Sequence, residues 1–208
     1  MNIEFSPLCL GRLDKCNLLD EMHELCDSLH LDYMDGNFVP NKAFSIESIN
    51  SFKSNKPIHV HLMCKEPKLI AKQLRNFDSV SAHIETCEKF TEFMQYMIKN
   101  KFNWGVAISP ETELEKIFKL NNEPSRVLLM AVKPGYSGQP FLSRTLERII
   151  KIREFWPNID IVVDGGMHKK TIKECHSLEA NSFVICTDLV KSRNKSQYIK
   201  DLKENIQR

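Results

Sequence analysis

Short β-rich apolar runs alternate with longer segments of helical periodicity along almost the whole chain of 208 residues. The runs predict eight strands, which are Ile3–Phe5, Leu29–Tyr33, Ile58–Leu62, Ser79–His83, Trp104–Ile108, Val127–Val132, Ile159–Val163 and Phe183–Cys186. The segments between them predict helices that include Leu18–Leu25, Pro67–Asn76, Cys87–Lys99, Glu113–Leu120, Arg144–Phe155 and Lys169–Leu178. Strands that alternate with helices imply a parallel sheet, and eight such units close into a barrel. We therefore expect an α/β protein with a single (β/α)8 TIM-barrel domain over residues 1–208.

An open, doubly wound sheet is the alternative arrangement of the same elements. It would need a glycine-rich turn after the first strand. The segment Ser6–Leu13 contains only Gly11, so the barrel is favoured. Clusters of glycine and proline directly follow three strands, at Asp35–Pro40, Pro134–Pro140 and Asp164–Gly166. In a barrel such loops form the C-terminal mouth, where active sites lie.

The charge balance gives no reason to expect a nucleic-acid or membrane surface, because 29 basic residues face 27 acidic ones. Acidic residues interrupt the basic residues near the C-terminus, which indicates a solvent-facing helix surface there. These basic residues are Lys191, Arg193, Lys195, Lys200 and Lys203.

The seven cysteines are odd in number and include no CxxC pair, so they predict no cysteine metal cluster. No signal peptide or long apolar run precedes or interrupts the predicted fold. We expect a cytoplasmic protein in which the cysteines are small buried hydrophobic side chains. They are Cys9, Cys16, Cys26, Cys64, Cys87, Cys175 and Cys186.

Histidine and aspartate side chains stand at the ends of three predicted strands. His30 and Asp32 share one face of their strand because positions i and i+2 point the same way, and His59 and His61 share a face of the next strand. Asp164 ends a later strand. Together they could converge in the barrel mouth as ligands for Zn²⁺ or Fe²⁺. Each alone is better explained as a structural histidine or a turn-forming aspartate, so the prediction rests on their coincidence at matching ends of three strands.

Glycines in the late loops form a second candidate element. Backbone N–H groups exposed near Gly135, Gly138, Gly165 and Gly166 can approach an anion closely, and late barrel loops often hold a phosphate in this way. The alternative is that these glycines serve only tight turns.

Four segments resemble the signature motifs of the ribulose-phosphate 3-epimerase family. They are His30–Asn41 (HLDYMDGNFVPN), His61–Met63 (HLM), Val132–Gln139 (VKPGYSGQ) and Val163–Gly166 (VDGG). The segments occur in the family's order across nearly the whole chain, and the first is a dozen-residue match. The resemblance implies a TIM barrel that interconverts ribulose 5-phosphate and xylulose 5-phosphate, with relatives that act on allulose 6-phosphate and related ketose phosphates.

The resemblance also implies roles for individual residues. His30, Asp32, His61 and Asp164 would bind a divalent metal, with Zn²⁺ expected first and Fe²⁺, Mn²⁺ or Co²⁺ as alternatives, and Asp32 and Asp164 would be the two acid/base residues. The implied substrate-binding residues are Ser6, His61, Met34, Met63, Met130, Gly135, Tyr136, Ser137, Gly138, Gly165, Gly166, Cys186 and Thr187. We further expect a small-molecule ketose phosphate as the partner, and a homo-oligomer.

Several positions depart from the family pattern. The order Ser6-Pro7 replaces Pro-Ser, and His59 stands where an Asp is usual. Ser109 replaces Asn, and Ser137 replaces Gly. The last strand ends in Cys186-Thr187-Asp188 instead of Gly-Ser and a small residue. An inward-pointing Asp188 about 5 Å from a phosphate would cost roughly 3 kcal/mol at an effective dielectric near 20.

These departures leave the substrate open. An epimerase of another ketose phosphate, such as allulose 6-phosphate or a heptulose phosphate, is one alternative, and a non-catalytic relative that binds a sugar phosphate or a partner protein is another. A barrel decarboxylase would need an Asp/Lys network on the strands. Lys65 and Lys133 are the nearby lysines, and they form no such pattern.

Overall fold

A computed structural model of the protein describes residues 1–11 and 17–204, with only the backbone given for residues 17–20. Eight parallel strands form a closed barrel in chain order, which confirms the predicted fold and excludes the open sheet. The closure is made by β1 and β8, with Asn2 opposite Ser182 and Phe5 opposite Ile185. The strands are β1 Asn2–Phe5, β2 Ser28–Met34, β3 Ile58–Met63, β4 Ser79–His83, β5 Trp104–Ile108, β6 Arg126–Met130, β7 Asp160–Asp164 and β8 Ser182–Ile185.

The helices surround the barrel. They are α1 Asn17–Leu25, α2 Ile46–Ser51, α3 Pro67–Ala71, α4 Glu88–Lys99, α5 Glu115–Phe118, α6 Arg144–Phe155, α7 Lys169–Ser177, α8 Thr187–Lys191 and α9 Lys195–Glu204. Two short 3-10 helices, Pro7–Leu10 and Ile84–Thr86, follow β1 and β4. The prediction of a helix over Pro67–Asn76 was too long, because after Ala71 the chain continues in tighter i to i+3 turns such as Gln73 N to Ile70 O.

The predicted ends of β6 and β8 were also too late. β6 ends at Met130 rather than Val132, and β8 ends at Ile185 rather than Cys186. Val132 is buried although it is outside the strand, because it packs where a Cβ on Gly165 would stand. The apolar sequence therefore extends two residues beyond the end of β6, which is why the predicted strand was too long.

The barrel interior has a polar side and an apolar side. Buried polar side chains on β1 to β4 fill one side, among them Glu4, His30, His59 and Ser81. The opposite side is a small apolar cluster on β5 to β8, made of Ala107, Leu128, Met130, Val162 and Val184. The outward-facing residues of the strands, such as Ile3, Leu29 and Val60, belong to the main hydrophobic core with the helices.

The prediction that the cysteines are buried is only partly confirmed. Cys26, Cys64 and Cys175 are buried, whereas Cys87 is exposed. Cys9 in the first 3-10 helix and Cys186 directly after β8 are half-buried, and Cys16 lies outside the described residues. None of the helices within residues 1–11 and 17–204 is both long enough and apolar enough to cross a bilayer.

Candidate metal and substrate site

The four side chains that the motifs single out for metal binding meet at the carboxyl ends of β2, β3 and β7. One donor atom from each of His30, Asp32, His61 and Asp164 lies within 4.8 Å of the others. His30 Nε2 is 3.4 Å from Asp32 Oδ1 and 3.8 Å from Asp164 Oδ2. His61 Nδ1 is 3.0 Å from the same Asp32 oxygen and 3.9 Å from Asp164 Oδ2.

This donor set fits a divalent cation. His30 Nε2 is buried and has no hydrogen-bond partner among the described residues, which is unusual for a polar atom in a protein interior. Two imidazole nitrogens and two carboxylates are suitable ligands for Zn²⁺ and for related first-row metals. The arrangement therefore could hold a divalent metal, although it does not discriminate between metals.

The two carboxylates have different electrostatic surroundings. Burial would raise the pKa of Asp32, but the charge of His30 and the close contacts of the carboxylate with His30 and His61 lower it. Burial raises the pKa of Asp164 to about 7, and the charge of Asp32 adds to this effect although His30 opposes it. At neutral pH, Asp32 is thus ionised while Asp164 is divided between its acid and base forms.

The pKa values of the two histidines in this group, His30 and His61, also differ. Burial alone would lower the pKa of His30, but Asp32 dominates and raises it to about 10. Burial lowers the pKa of His61 to about 3 despite its contact with Asp32. A divalent cation at this position would compete with the proton that His30 holds between the two carboxylates.

A chain of buried hydrogen bonds supports His61 from β4. His61 Nε2 is 3.0 Å from His83 Nε2, and His83 Nδ1 is 2.8 Å from Glu85 Oε2. With Glu85 ionised, His83 donates to it from Nδ1 and accepts the Nε2 proton of His61. In that tautomer His61 carries its proton on Nε2, so its Nδ1 lone pair would be available to a cation held with Asp32 and Asp164.

Sequence reasoning missed His83 and Glu85. Their spacing is the signal that could have found them, because His-x-Glu at a strand end repeats the His-x-Asp spacing of His30 and Asp32. Ser109, noted as a departure from the family pattern, also joins this group. Its backbone N–H donates to Glu85 Oε1 at 2.8 Å.

Ser6 holds the Asp32 carboxylate. Its hydroxyl donates to Asp32 Oδ2 at 2.8 Å and accepts the Leu8 N–H at 3.2 Å as the cap of the first 3-10 helix. Pro7 is the first residue of that helix, where its fixed φ is favourable. The reversed order Ser6-Pro7 therefore still places a serine hydroxyl beside Asp32.

A cavity of about 560 Å³ opens above the four ligands. Every substrate-binding residue expected from the sequence lines this cavity, with the exception of His61. His61 is completely buried beneath the floor, where it can contact a metal. Asp32 and Asp164 line the cavity, so both carboxylates can reach a molecule bound in it.

The three methionines form part of the cavity wall. Met34 and Met63 pack with Val39 in a small apolar cluster, with Leu8 and Phe38 against it. Met130 comes from the apolar side of the barrel interior. All three line the cavity and are almost fully buried, so this wall offers a bound molecule little water.

A family model described as the ribulose-phosphate 3 epimerase family matches residues 2–190. The chain belongs to the ribulose-phosphate 3-epimerase family. Members of this family are isomerases, and the chain is accordingly an epimerase that acts on carbohydrates.

Named relatives agree with this membership. The cytoplasmic isoform of ribulose-phosphate 3-epimerase from Oryza sativa subsp. japonica is 30% identical over 189 residues, which is 87% of this chain and 83% of that protein. Ribulose-phosphate 3-epimerase from Helicobacter pylori strain 26695 is 32% identical over 186 residues, which is 85% of each chain.

Solved structures with other activities share the fold. Orotidine 5'-phosphate decarboxylase from Pyrococcus horikoshii OT3 has a TM-score of 0.68 at 14% identity, with 99% of both chains covered. The 3-hexulose-6-phosphate synthase from Salmonella typhimurium has a TM-score of 0.65 at 12% identity, with 100% of this chain and 99% of that chain covered. At these identities the likeness concerns the barrel and not its chemistry.

Loops after β6, β7 and β8 form the end of the cavity where the family motifs imply a phosphate. Gly165 and Gly166 have φ values of +109° and +64°, in the region that favours glycine. A Cβ on Gly165 would lie 2.4 Å from Val132 Cγ2, and one on Gly166 would lie 2.5 Å from the Phe141 nitrogen. These two glycines are therefore required by close packing between the loops, whatever else they do.

The altered residues after β8 occupy the rim of this end. Asp188 is exposed, and its Oδ2 accepts a hydrogen bond of 3.0 Å from the Tyr198 hydroxyl on α9. Cys186 Sγ accepts the Cys9 N–H at 3.2 Å. Asp188 also lines the cavity, so its carboxylate stands at the cavity rim and is held there by the Tyr198 hydroxyl of α9.

Lys191 is exposed, in agreement with the predicted solvent-facing surface, and it also lines the cavity together with Lys133 and Lys170. Lys200 is exposed as well, and Lys203 Nζ pairs with Asp27 Oδ1 at 2.6 Å. The lysines at the rim offer positive charge near the glycine loops.

Proposed function

We propose that the protein is a metal-dependent ketose-phosphate 3-epimerase that interconverts D-ribulose 5-phosphate and D-xylulose 5-phosphate. The observation that carries this proposal is the convergence of donor atoms from His30, Asp32, His61 and Asp164, of which Asp32 and Asp164 line the cavity above them. We propose Zn²⁺ as the metal, with Fe²⁺, Mn²⁺ or Co²⁺ as alternatives. The cytoplasmic location and the homo-oligomeric state stay predictions.

The proposed chemistry needs two opposed carboxylates. The hydrogen on the carbon next to a ketone is weakly acidic, and its removal gives an enediolate. A bound divalent cation would supply Lewis-acid stabilisation of that negative charge. Asp32 and Asp164 would stand on the two faces of the substrate, so that one takes a proton from one face while the other returns a proton to the opposite face. The roles exchange when the reaction runs in the other direction.

The remaining cavity residues would orient the substrate and protect it. Ser6 would keep the Asp32 carboxylate in one orientation through its 2.8 Å hydrogen bond. Met34, Met63 and Met130 would exclude water from the reacting carbon. The loops that contain Gly135–Gly138, Gly165–Gly166 and Cys186–Thr187 would receive the phosphate.

The test is a conversion assay with Zn²⁺-loaded protein and ribulose 5-phosphate, in which xylulose 5-phosphate is measured. In ²H₂O we expect deuterium to enter C3 of the product, because the returned proton comes from a carboxylic acid that exchanges with solvent. Absence of conversion with ribulose 5-phosphate, allulose 6-phosphate and a heptulose phosphate alike would refute the proposal.

A second candidate is an epimerase of a different ketose phosphate, such as allulose 6-phosphate or a heptulose phosphate. The altered residues Ser137, Cys186 and Thr187 favour it, because all three line the cavity at its phosphate end. Comparison of kcat/KM for the three substrates with one enzyme preparation decides between the candidates. The non-catalytic alternative is less well supported, since one donor atom from each of the four proposed ligands, the proposed acid/base pair among them, lies within 4.8 Å of the others.

A further inference from the structure

A buried carboxylate lies directly beneath the proposed metal site. Glu4 on β1 is completely buried, and its Oε2 is 3.1 Å from His30 Nδ1 and 2.9 Å from His59 Nδ1. Its Oε1 accepts a hydrogen bond of 3.1 Å from Arg126. Arg126 also pairs with a second carboxylate, because its guanidinium is 3.0 Å from Asp160 Oδ2.

These contacts fix which atoms donate and which accept. The Arg126 guanidinium has only donors and pairs with Glu4 Oε1 at 3.1 Å, so the Glu4 carboxylate accepts hydrogen bonds at both of its oxygens. Both histidines must then donate to it from Nδ1. For His59, the remaining Nε2 accepts the Ser81 hydroxyl at 2.8 Å.

For His30, the proton on Nδ1 determines which nitrogen faces the proposed metal site. With its Nδ1–H committed to Glu4, His30 presents Nε2 to Asp32 and Asp164, and this is the buried nitrogen that lacks a hydrogen-bond partner. His59 cannot set this orientation, because its own two nitrogens are occupied by Glu4 and Ser81. In the family pattern an aspartate is usual at the position of His59, whereas here the buried carboxylate comes from β1.

We propose that Glu4 is the positioning residue of His30: it orients the imidazole so that Nε2, and not Nδ1, faces the metal. The inference rests on the metal site of the proposed function. Metal-ligating histidines generally donate their other ring N–H to such a partner, and loss of the partner typically lowers metal affinity by about 10–100-fold.

Glu4→Gln is the informative variant because Arg126 dictates how the new amide must point. The guanidinium can only donate, so the glutamine oxygen turns to Arg126 and its NH₂ group faces His30. His30 must then accept at Nδ1, which places its proton on Nε2, where the metal would bind. We expect the Zn²⁺ affinity to fall by about 10–100-fold, measured by competition with a chelator.

Asp160→Asn is the matched control. It makes the same carboxylate-to-amide change on the other side of the same guanidinium, but Asp160 contacts Arg126 and Ser182 and none of the four proposed ligands. Its Zn²⁺ affinity should equal that of the unchanged protein. If Asp160→Asn weakens Zn²⁺ as much as Glu4→Gln does, the effect is general destabilisation and the proposal is overturned.

A spectroscopic readout separates orientation from stability. In the Co²⁺-loaded protein, the Nδ1–H of a histidine bound through Nε2 gives a strongly shifted proton NMR signal that exchanges with water. The signal from His30 should exchange slowly, because Glu4 buries and accepts that proton, and it should be lost in Glu4→Gln. A folded Glu4→Gln protein with unchanged Zn²⁺ affinity and unchanged signal would overturn the proposal.

If Glu4→Gln fails to fold, the double variant Glu4→Met/Arg126→Met keeps the proposal testable. Replacement of both members of a buried ion pair by apolar residues is often tolerated. The double variant should bind Zn²⁺ more weakly than Arg126→Met alone, and equal affinities would overturn the role of Glu4. Wild-type protein that binds Zn²⁺ without epimerase activity would overturn the proposed function and leave this inference standing.

Discussion

The two ends of the cavity are built in different ways. At the floor, side chains from regular strands form the group, and His30, His61 and Asp32 are at most 2% exposed. At the opposite end, loops after β6, β7 and β8 form the wall, and Tyr136 at its rim is 55% exposed. The floor depends on which side chains are present, whereas the loop end depends on the path of the backbone.

This difference explains why the four proposed ligands match the family pattern while several residues of the loop end do not. A ligand or a base cannot be replaced without loss of its nitrogen or oxygen, and the four floor residues match the pattern. A backbone N–H is available from almost any residue whose φ and ψ permit the loop, and Ser137, Cys186 and Thr187 differ there. Gly165 and Gly166 are retained because their surroundings leave no room for a Cβ.

The largest expected effect is at the floor. Asp32→Asn and Asp164→Asn should each lower kcat by about 10²–10⁴-fold or more, because each removes one of the two proton-transfer groups. Steady-state assays in both reaction directions provide the measurement. Asp160→Asn, the same substitution at the other end of β7, should keep kcat within a few-fold. Full activity in either active-site variant would refute the two-base assignment.

The floor should also be sensitive to acid. Burial would raise the pKa of Glu85, but the His83 hydrogen bond and charge lower it from 4.5 to about 2. Because the folded pKa is depressed, the contribution of Glu85 to the free energy of unfolding is full above about pH 4.5 and is lost as the pH falls towards 2. The shift corresponds to roughly 3 kcal/mol.

Urea unfolding between pH 7 and pH 3 measures this contribution. Glu85→Gln should be less stable than the wild-type protein at pH 7, and the gap should narrow as the pH falls. A constant gap across the range would show that the His83–Glu85 pair does not couple folding to protonation.

An intermediate effect is expected at the loop end. In Gly166→Ala the new Cβ would meet the Phe141 backbone at 2.5 Å with φ at +64°, so the loop must shift. We expect the KM for the sugar phosphate to rise about tenfold, or about 1.4 kcal/mol of binding free energy, with kcat little changed. Gly11→Ala is the control, since Gly11 has a similar φ of +71° but no atom within 4 Å of a Cβ. Equal KM values for Gly166→Ala and the wild-type protein would show that the substrate does not depend on this loop.

The smallest effect is expected for Asp188→Asn. The Asp188 carboxylate is exposed and is held by Tyr198, so its removal should change the KM by less than about threefold. An inward-pointing carboxylate would instead cost roughly 3 kcal/mol, and its removal would lower the KM by more than about a hundredfold. Measurement of KM at low and at moderate salt distinguishes the two orientations.

Much of the floor could be predicted from the sequence. The i and i+2 spacing in His30-Leu31-Asp32 places both side chains on one face of a strand, and the motif order assigned Asp164 to the same mouth. Glu4 could not be predicted in this way, because nothing local to β1 shows that a single carboxylate meets residues on β2, β3 and β6. The contact of Lys191 with the cavity could not be predicted for the same reason, since only the fold brings this exposed residue to the cavity rim.

The sequence by itself determined the barrel, its eight strands and the four residues that meet at its mouth, because strand periodicity and motif order are local properties of the chain. Only the tertiary structure decided which nitrogen of each histidine faces the site. That choice depends on hydrogen-bond partners distant in sequence, Glu4 for His30 and His83 for His61. The tertiary structure also placed Asp188 against α9, because the exposed carboxylate finds its partner, Tyr198, on a different helix.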